Sequence, residues 1–591
     1  MELAKAPLPM SMEELASLGI WQPDFIIVSG DAYIDHPSFG TAIIGRVLEQ
    51  AGFSVGVIAQ PNWRNTADFQ KLGEPRLGFL VNAGNIDSMV ANYTVAKRKR
   101  DYDYYSPGGR AGLRPDRAVI VYCNKLREAF GEIPVIIGGI EASLRRFAHY
   151  DYWENKLRRS ILLDSGADLL SYGMGERSIL RIAQLLEKGV PVKKIRDVPG
   201  TAVICPRDWR PKENFTMLPS YKELLEDKQK YARSFKMQYA NCDPVGGKIL
   251  CELYEEGLLV QNPPSAPLER AELDKLAAIP YTRKAHPCYG KEGVPALTEI
   301  EFSVTHNRGC FGGCAFCAIA YHQGRAVHSR SIESVVEEVK LLAGLPNFKG
   351  YIHDIGGPTA NFRTGPCKAV ANGEKGVCAG RRCLTPQPCP NLEVDHSEYL
   401  ELLQRAAAVD GVKRVFVRSG IRHDYVMADG EFGGRFIETL ARRHVSGQLR
   451  TAPEHICPEG LALMGKPPYE VYERFGEKFN AASKKAGREQ YVVPYLMSSH
   501  PGSTMQSAER LAQYMQKNKL RAEQVQDFYP TPGTAATVMY YTGTDPFTGK
   551  KVYTATSPKE KQAQRALLGK APGEGKRERK PQGNGKKRKR T

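Results

Sequence analysis

Three cysteines within eight residues place the strongest constraint on how this chain folds. Cys310, Cys314 and Cys317 lie in the sequence RGCFGGCAFCAIA, directly after a run in which apolar and polar residues alternate. Such alternation predicts a strand with one buried face. Thiolates at this spacing can surround one metal centre, and the two glycines between the first two cysteines let the backbone bend tightly around it. The motif therefore predicts a metal site at the end of a strand.

The number of cysteines in this motif indicates which metal centre it holds. A structural zinc site takes four protein ligands, usually as two pairs. Three cysteines instead match a [4Fe–4S] cluster in which one iron has no protein ligand. A small molecule can bind that open iron, so the motif predicts a catalytic cluster, with zinc as the alternative.

Short apolar strands alternate with amphipathic helices on both sides of the motif. After it, about six strand–helix units predict a partial (β/α) barrel of the TIM type over residues 295–545, with ligands at the carboxyl ends of its strands. Before it, PDFIIVSG, LGFLVNAG, AVIVYC and PVIIGGIEAS read as strands of a Rossmann-like parallel sheet over residues 1–190. Residues 191–294, with few periodic signals, are expected to connect the two. The predicted fold class is α/β.

The positive charge of the chain is concentrated near its end. Of a net charge of +18, a large part comes from residues 570–590, which contain ten Lys or Arg and two Glu. Abundant Gly and Pro without apolar periodicity predict that residues 546–591 form a disordered tail. Such a tail either aids solubility or contacts RNA or another polyanion. The basic, tyrosine-rich sequence KRKRDYDYYSPGGRAGLRP is expected to be an exposed loop.

The cellular setting follows from what the sequence lacks. No run of about eighteen apolar residues is present, so we expect no membrane span. The start, MELAKAPLPMSMEEL, has no basic region followed by an apolar one, so a secretory signal is not expected. Thirteen cysteines in a reducing cytoplasm are expected to serve purposes other than disulfides.

The cysteine motif, with Phe316 before its last cysteine, resembles the signature of the radical SAM superfamily. The resemblance implies that S-adenosylmethionine (SAM) binds the open iron through its amino and carboxylate groups. One electron, from a donor such as flavodoxin or ferredoxin, would then break the S–C5′ bond and give a 5′-deoxyadenosyl radical. Gly356 and Gly357 resemble the superfamily's GGE motif, which holds the SAM amino group, although Pro358 replaces the acidic residue.

Other polar residues follow predicted barrel strands. Ser419 and Arg422, together with Arg418, could hold the carboxylate and ribose hydroxyls of SAM. The candidate catalytic residues, which also follow predicted strands, are Glu454, His455 and His500. Taken singly, each of them is more typical of a local hydrogen-bonding group than of a catalyst, and their recurrence at successive strand ends is the argument for catalysis.

A second group of cysteines lies in a long insertion at residues 362–392. It consists of Cys367, Cys378, Cys383 and Cys389. Long loops without periodic structure are uncommon unless they have a function. Four thiolates could hold an auxiliary iron–sulfur cluster or a zinc ion, and four unliganded thiols are the alternative.

Longer blocks of sequence resemble the YgiQ family of radical SAM proteins. They are GGIEASLRRFAHYDYWENKLRRSILLDSGADLLSYGMGE, NRGCFGGCAFCAI, IGGPTANF, RSGIRHD, APEH and QVQDFYPTPGTAATVMYYTG. The resemblance extends to about residue 560 and implies a radical SAM enzyme with an unidentified substrate. A nucleic-acid-binding protein with a structural cluster is the competing hypothesis, favoured by the basic tail and the tyrosine-rich loop.

The first domain also resembles cobalamin-binding domains, but its loop does not. A cobalamin loop needs Asp-x-His-x-x-Gly, whereas this chain has DHPSFG from Asp35 to Gly40. We therefore expect this domain to recognise substrate rather than cobalamin. A polar cluster after a predicted strand would suit an anionic substrate or form a network of ion pairs; it consists of Glu141, Arg145, Arg146, His149 and Asp151.

Overall fold

A computed structural model describes residues 1–212, 214–518, 520 and 525–569. The amino-terminal part is built on one mixed sheet of nine strands within those residues. Strands of this part are β1 Phe25–Ser29, β2 Ile34–Asp35, β3 Val55–Ala59, β4 Gly78–Asn82, β5 Val135–Ile137, β6 His149–Asp151, β7 Lys156–Arg158, β8 Leu169–Ser171, β9 Thr201–Cys205, β10 Phe215–Met217, β11 Ile249–Leu253, β12 Leu258–Gln261 and β13 Lys284–Ala285. Its helices are α1 Met12–Ser17, α2 Gly40–Gln50, α3 Ala67–Gln70, α4 Ser88–Asn92, α5 Ala118–Phe130, α6 Gly139–Leu144, α7 Ile161–Ser165, α8 Glu176–Glu187, α9 Tyr221–Glu226, α10 Lys228–Ala240 and α11 Arg270–Ala278.

Both faces of the large sheet are covered by helices. The sheet order is β10-β11-β12-β9-β8-β5-β4-β1-β3, and the five strands from β3 to β8 are mutually parallel. Ile27 on β1 packs with residues of α2 and α8, whereas Ile26 and Val28 pack with residues of α5 and α7 on the other face. Because successive strand side chains point to opposite faces, strands that are apolar throughout bury both. The α/β prediction for this part is confirmed.

Two local predictions for this part are wrong. AVIVYC is the start of helix α5 rather than a strand, with Ala118, Tyr122 and Leu126 buried on one face. Residues 191–294 are not merely a connection, because β9, β10, β11 and β12 extend the sheet beyond β8. β9 joins β8 in antiparallel orientation, so this extension does not repeat the strand–helix alternation that made the preceding units recognisable.

The carboxyl-terminal part contains a series of parallel strands. Its strands are β14 Ser303–Thr305, β15 Asn307–Arg308, β16 His328–Ser329, β17 Tyr351–Ile352, β18 Asp354–Gly356, β19 Arg414–Val415, β20 Gln448–Glu454, β21 Tyr491–Ser498 and β22 Val525–Asp527. Its helices are α12 Pro295–Ile300, α13 Ile319–Gln323, α14 Ile332–Ala343, α15 Lys368–Ala371, α16 Ser397–Ala407, α17 His423–Ala428, α18 Gly433–Thr439, α19 Pro458–Met464, α20 Tyr469–Lys485, α21 Met505–Lys517, α22 Ala535–Thr542 and α23 Pro558–Gly569.

Six strand segments of this part follow one another in chain order. β14 pairs with β18, the adjoining β17 pairs with β19, and β20, β21 and β22 pair in succession, all in parallel. A parallel bridge between Ile421 and Thr451 links the third segment to the fourth. Helices lie between successive segments, which is the (β/α) arrangement that the sequence predicts. The first strand is shorter than expected, because α12 continues to Ile300.

The expectation of a disordered tail from residue 546 is wrong for its first part. Helix α23 packs against α21 and β22, and it buries Lys561, Gln564 and Leu568 along one face. The strongly basic residues 570–591 lie outside the described part of the chain. Among the described residues, no helix is both long and apolar enough to span a membrane.

Glu252 on β11 leads to a prediction about pH dependence. Its side chain is fully buried, and its carboxylate accepts the N–H of Ala148 (2.9 Å) and the hydroxyl of Tyr254. Burial raises the pKa of Glu252 to about 7. A carboxyl group whose pKa is higher in the folded chain contributes its full stabilisation at pH values below its pKa in the unfolded chain. That contribution is lost as pH rises through the folded-state pKa of about 7. We expect a loss of up to about 3 kcal/mol by pH 8.

Thermal unfolding midpoints measured between pH 5 and pH 8 test this prediction. In Glu252→Gln the midpoint should decline less over that range than in the unmodified chain. The matched control is Glu255→Gln, which changes an exposed carboxylate on the turn after the same strand. Equal slopes in all three proteins would contradict the prediction.

Candidate functional site

The three cysteines of the motif lie in a loop between β15 and α13, and we call residues 310–317 the cysteine loop. All three thiols are half-buried. Burial raises the pKa of Cys317 to about 12, and the charges of Cys314 and Cys310 add to that effect. The sulfur of Cys310 also lies 3.3 Å from the hydroxyl oxygen of Thr359, beyond β18. The loop thus brings the three predicted ligands into one place at the carboxyl ends of β14 and β18.

Two buried cations lie next to the cysteine loop. Nη1 of Arg422 donates to the carbonyl of Gly312 (3.0 Å) and to the sulfur of Cys314 (3.3 Å). Nε and Nη2 of the same residue bind the carboxylate of Asp424 at 2.8 and 2.5 Å. The second cation is Lys466. Burial lowers its pKa and the charge of Cys314 raises it, and the net effect is an increase. Positive charge beside a thiol favours the thiolate, which is the metal-binding form.

Contacts of the predicted SAM-binding residues separate them into two groups. Arg422 is held by Asp424 and the cysteine loop, so its donors are used within the protein. Gly356 and Gly357 instead lie where strand ends approach closely: a Cβ on Gly357 would be 1.7 Å from Oδ1 of Asn307, and one on Gly356 would be 2.2 Å from Oγ of Ser419. These two positions therefore exclude any side chain, so only glycine fits where these strand ends meet.

Ser419 is fixed by a carboxylate that sequence analysis did not single out. Its hydroxyl and its backbone N–H (3.2 Å) both donate to Asp354, which also accepts the N–H of Arg418 (2.8 Å). Burial raises the pKa of Asp354. Asp354 lies on the strand that leads to Gly356. It therefore ties the ends of two neighbouring strands together at the position predicted for SAM.

The candidates Glu454 and His455 lie together at the end of β20 but differ in their contacts. Glu454 is buried, has a φ of 70° and forms an ion pair with Lys466 (3.4 Å). His455 accepts the backbone N–H groups of Ile456 (2.9 Å) and Cys457 (3.0 Å) through Nδ1. Burial lowers the pKa of His455 to about 4. His455 is thus a neutral group engaged with its own turn, whereas Glu454 contacts a cation of the site.

His500 lies at the end of the next strand and faces the cysteine loop. Its ring centroid is 5.9 Å from that of Phe316, between the second and third cysteines. Nδ1 donates to the carbonyl of Pro501 (2.7 Å), so Nε2 carries a lone pair, and Nε2 has no partner in the described structure. Burial lowers the pKa of His500 to about 3. Ser499, directly before it, has a φ of 60°, a strained conformation that is concentrated at functional sites.

The residues around the cysteine loop fit an iron–sulfur cluster by the chemistry of their donors. No described group of three or more His, Cys, Asp and Glu has side chains placed to hold a single metal ion. Ligands of a [4Fe–4S] cluster bind separate irons and need not converge on one point. Three thiols beside two cations suit such an anionic group, and Nε2 of His500 is an unpartnered polar atom on the same side.

The second cysteine group also gathers in one place. Burial raises the pKa of Cys383 to about 11. The charge of Arg325 opposes this increase, whereas the charges of Cys378, Cys389 and Cys367 add to it. The four predicted ligands are therefore close enough to interact electrically. They form a set of four thiols beside an arginine, although they are not placed around a single ion.

The predicted polar cluster of the first domain is mostly an ion-pair network. Arg145 pairs with Asp87, and the Glu141 carboxylate accepts the N–H of Ser88 (2.8 Å). Arg146 differs, because its guanidinium lies 3.7 Å from the ring centroid of Tyr321 on α13 and lines a cleft. In the DHPSFG loop, Nδ1 of His36 accepts the N–H of Ser38 (3.1 Å) and Nε2 is 3.3 Å from Nη1 of Arg283. Nδ1 of His36 is therefore engaged by its own loop, and Nε2 lies against the guanidinium of Arg283.

Comparison with known proteins establishes the family. A model described as Radical SAM N-terminal matches residues 7–303, and a domain of unknown function, DUF3362, matches residues 523–571. A UPF0313 protein of Clostridium botulinum strain 657 is 54% identical over 562 residues, which cover 95% of this chain and 87% of that protein. The chain belongs to the UPF0313 family. A UPF0313 protein of Clostridium perfringens strain 13 is 53% identical, covering 95% and 84%. The predicted family of radical SAM proteins is confirmed, and this UPF0313 member is a radical SAM enzyme.

Solved structures similar to this chain are more distant. The radical SAM methyltransferase TsrM from Kitasatospora setae, with cobalamin and a [4Fe–4S] cluster bound, is 16% identical, with 87% of this chain and 77% of that chain covered and a TM-score of 0.47. The cobalamin-dependent SAM radical enzyme OxsB, with aqua-cobalamin bound, is 9% identical, with 84% and 52% covered and a TM-score of 0.46. At these identities the solved structures do not assign roles to individual residues of this chain, so those roles follow from the contacts in its own structure.

Proposed function

We propose that this enzyme holds a [4Fe–4S] cluster on Cys310, Cys314 and Cys317 and cleaves SAM reductively to a 5′-deoxyadenosyl radical that acts on a substrate still to be identified. The main support is the cysteine loop itself: three half-buried thiols at the carboxyl ends of parallel strands, beside two buried cations. Catalytic groups of (β/α) barrels collect at that end. When bound, the cluster supplies the electron and the open iron.

Residues around the loop then have distinct tasks. Arg422 and Lys466 offset the negative charge of three thiolates. Gly356 and Gly357 would present their backbone to the SAM amino group, as the resemblance implies. Asp354 holds the strand ends in register around them through Ser419 and Arg418. Nε2 of His500, with its lone pair directed to no described protein group, can accept a hydrogen bond.

The remaining parts of the proposal concern partners and a second centre. A small electron-transfer protein such as flavodoxin or ferredoxin would reduce the cluster, in the cytoplasm. The second cysteine group would hold an auxiliary iron–sulfur cluster or zinc, since Cys383 lies close enough to the other three thiols to be affected by their charge. Contact of RNA or another polyanion with residues 570–591 stays a prediction about a segment outside the described residues.

Turnover of SAM tests the main proposal. Protein purified and reconstituted without oxygen is reduced with dithionite and incubated with SAM, and 5′-deoxyadenosine is quantified together with iron and sulfide. We expect a bound cluster and 5′-deoxyadenosine well above a control without reductant. An intact cluster that yields no product would instead support the nucleic-acid-binding hypothesis.

Lys466 gives a prediction about the redox potential. At an effective dielectric constant of about 20, a unit charge in the neighbourhood of a cluster is worth on the order of 2 kcal/mol, which corresponds to about 90 mV for one electron. Lys466→Met should lower the midpoint potential of the cluster by about that amount in a redox titration followed by EPR. Lys466→Arg should restore it. A potential unchanged in Lys466→Met would contradict an electrostatic role for this lysine.

A further inference from the structure

The amino-terminal sheet has a pocket at the point where its strand order changes direction. Its parallel strands lie in the order β3-β1-β4-β5-β8, so connections from β1 lead first to one side and then to the other. Ligands of open α/β sheets bind at such a point, beyond the carboxyl ends of the strands. The pocket there, which we call the sheet-edge pocket, is open to solvent on one side, and its space between protein atoms, solvent-exposed part included, is about 830 Å³. Its walls include the apolar side chains of Ile44, Leu80 and Ile136 and the backbone of Gly138 and Gly139.

A second pocket continues from the first toward the barrel. This arginine pocket, with about 890 Å³ of space including its solvent-exposed part, shares Gly173, Met174, Glu176 and His322 with the sheet-edge pocket. It is lined by four arginines: Arg146, Arg177, Arg308 and Arg325. His322 lies on α13, directly after the cysteine loop. The two pockets thus form one cleft between the sheet and the barrel.

Unpartnered polar atoms mark this cleft as a ligand site. Glu176 is 5% exposed, and its Oε1 binds Arg308 (2.6 Å) while its Oε2 has no partner. Arg325 is 6% exposed, and its Nη2 donates to the carbonyl of Arg381 (3.2 Å) while its Nη1 has no partner. Nδ1 of His322 is also unpartnered among the described residues. Leaving buried groups of this kind unpaired costs about 1–3 kcal/mol each, so a ligand that pairs with them gains affinity.

We propose that this cleft binds a mononucleotide. Nη1 of Arg325, in the arginine pocket, supplies a charged donor to the phosphate. Oε2 of Glu176, where the two pockets meet, accepts a hydrogen bond from a ribose hydroxyl. The ring of His322, which also lines both pockets, hydrogen-bonds to the sugar. The apolar walls and bare glycine backbone of the sheet-edge pocket accept a flat base. One ligand with an anion, hydroxyl donors and a planar apolar part satisfies all three regions, whereas an inorganic anion or an apolar molecule satisfies only one.

Binding can be measured without SAM turnover, so a failure of the radical chemistry and a failure of this proposal are distinguishable. Thermal shift and isothermal titration of the full chain are carried out with AMP, GMP, CMP and UMP, and with adenosine and inorganic phosphate as partial ligands. We expect at least one mononucleotide to bind about tenfold or more tightly than either partial ligand. Absence of binding by all four mononucleotides would overturn the proposal.

Two variants locate the bound nucleotide. Arg325→Met should weaken mononucleotide binding about tenfold or more and leave adenosine binding unchanged. Ile44→Trp fills the sheet-edge pocket and should weaken adenosine and mononucleotides together. The matched control, Arg565→Met, removes an exposed arginine that pairs with Asp527 away from the cleft. Mononucleotide binding that both pocket variants leave intact would place the ligand elsewhere and contradict the assignment.

Discussion

Replacement of Cys314 by alanine is expected to abolish both the iron–sulfur absorption and the SAM cleavage that we propose for this enzyme. The reason is the small number of ligands: a cluster bound by three thiolates has none to spare, and Cys314 is the thiol that Arg422 contacts directly (3.3 Å). Cys310→Ala and Cys317→Ala should behave in the same way. Iron and sulfide per chain, the visible spectrum and 5′-deoxyadenosine formation after anaerobic reconstitution measure the effect, and we expect product at the level of the control without reductant.

Two control sets make this result specific. Cys457→Ala removes a buried thiol at the start of α19 and should leave iron content and product unchanged. Replacement of all four thiols of the second group, Cys367, Cys378, Cys383 and Cys389, by serine should lower the metal content without removing the cluster of the cysteine loop. An enzyme with alanine at Cys314 that still cleaved SAM would remove the basis of the proposed function.

Local patterns were sufficient to predict the elements that recur. Helix α14 follows directly from its local sequence, because Ser331 caps it by accepting the N–H of Ser334 and its apolar residues share one face. The position of the cysteine loop after a barrel strand was equally predictable, since its three cysteines are close in sequence and follow alternating apolar and polar residues. These features depend on short segments, whose periodicity and spacing determine them.

Features that depend on distant segments were not predictable in this way. Strand β12 joins the large sheet by pairing with β9, more than fifty residues earlier in the chain, and β11 then pairs with β12. Lys466 reaches the cysteine loop from the end of a helix about 150 residues further along the chain, and nothing in MGKPP indicates a site. In α23, by contrast, the buried Lys561, Gln564 and Leu568 have helical spacing, but the high charge of that segment obscured it.

Loss of Arg422 is the second change for which a large effect is expected. Arg422 and Asp424 are 7% and 4% exposed and are joined by two hydrogen bonds. Removal of one partner from a buried pair leaves the other charge uncompensated, which costs about 3–5 kcal/mol. Arg422→Met should therefore lower the free energy of unfolding of the metal-free chain by about that amount, measured by chemical denaturation, and should also reduce cluster incorporation.

The double variant Arg422→Met with Asp424→Leu separates these two effects. Because no charge remains buried, most of the stability should return. The donors to the Gly312 carbonyl and to the Cys314 sulfur, however, are still missing. A stable double variant that takes up little iron would show that the guanidinium organises the cysteine loop for its cluster. A stable double variant with a full cluster and normal SAM cleavage would instead restrict Arg422 to neutralising Asp424.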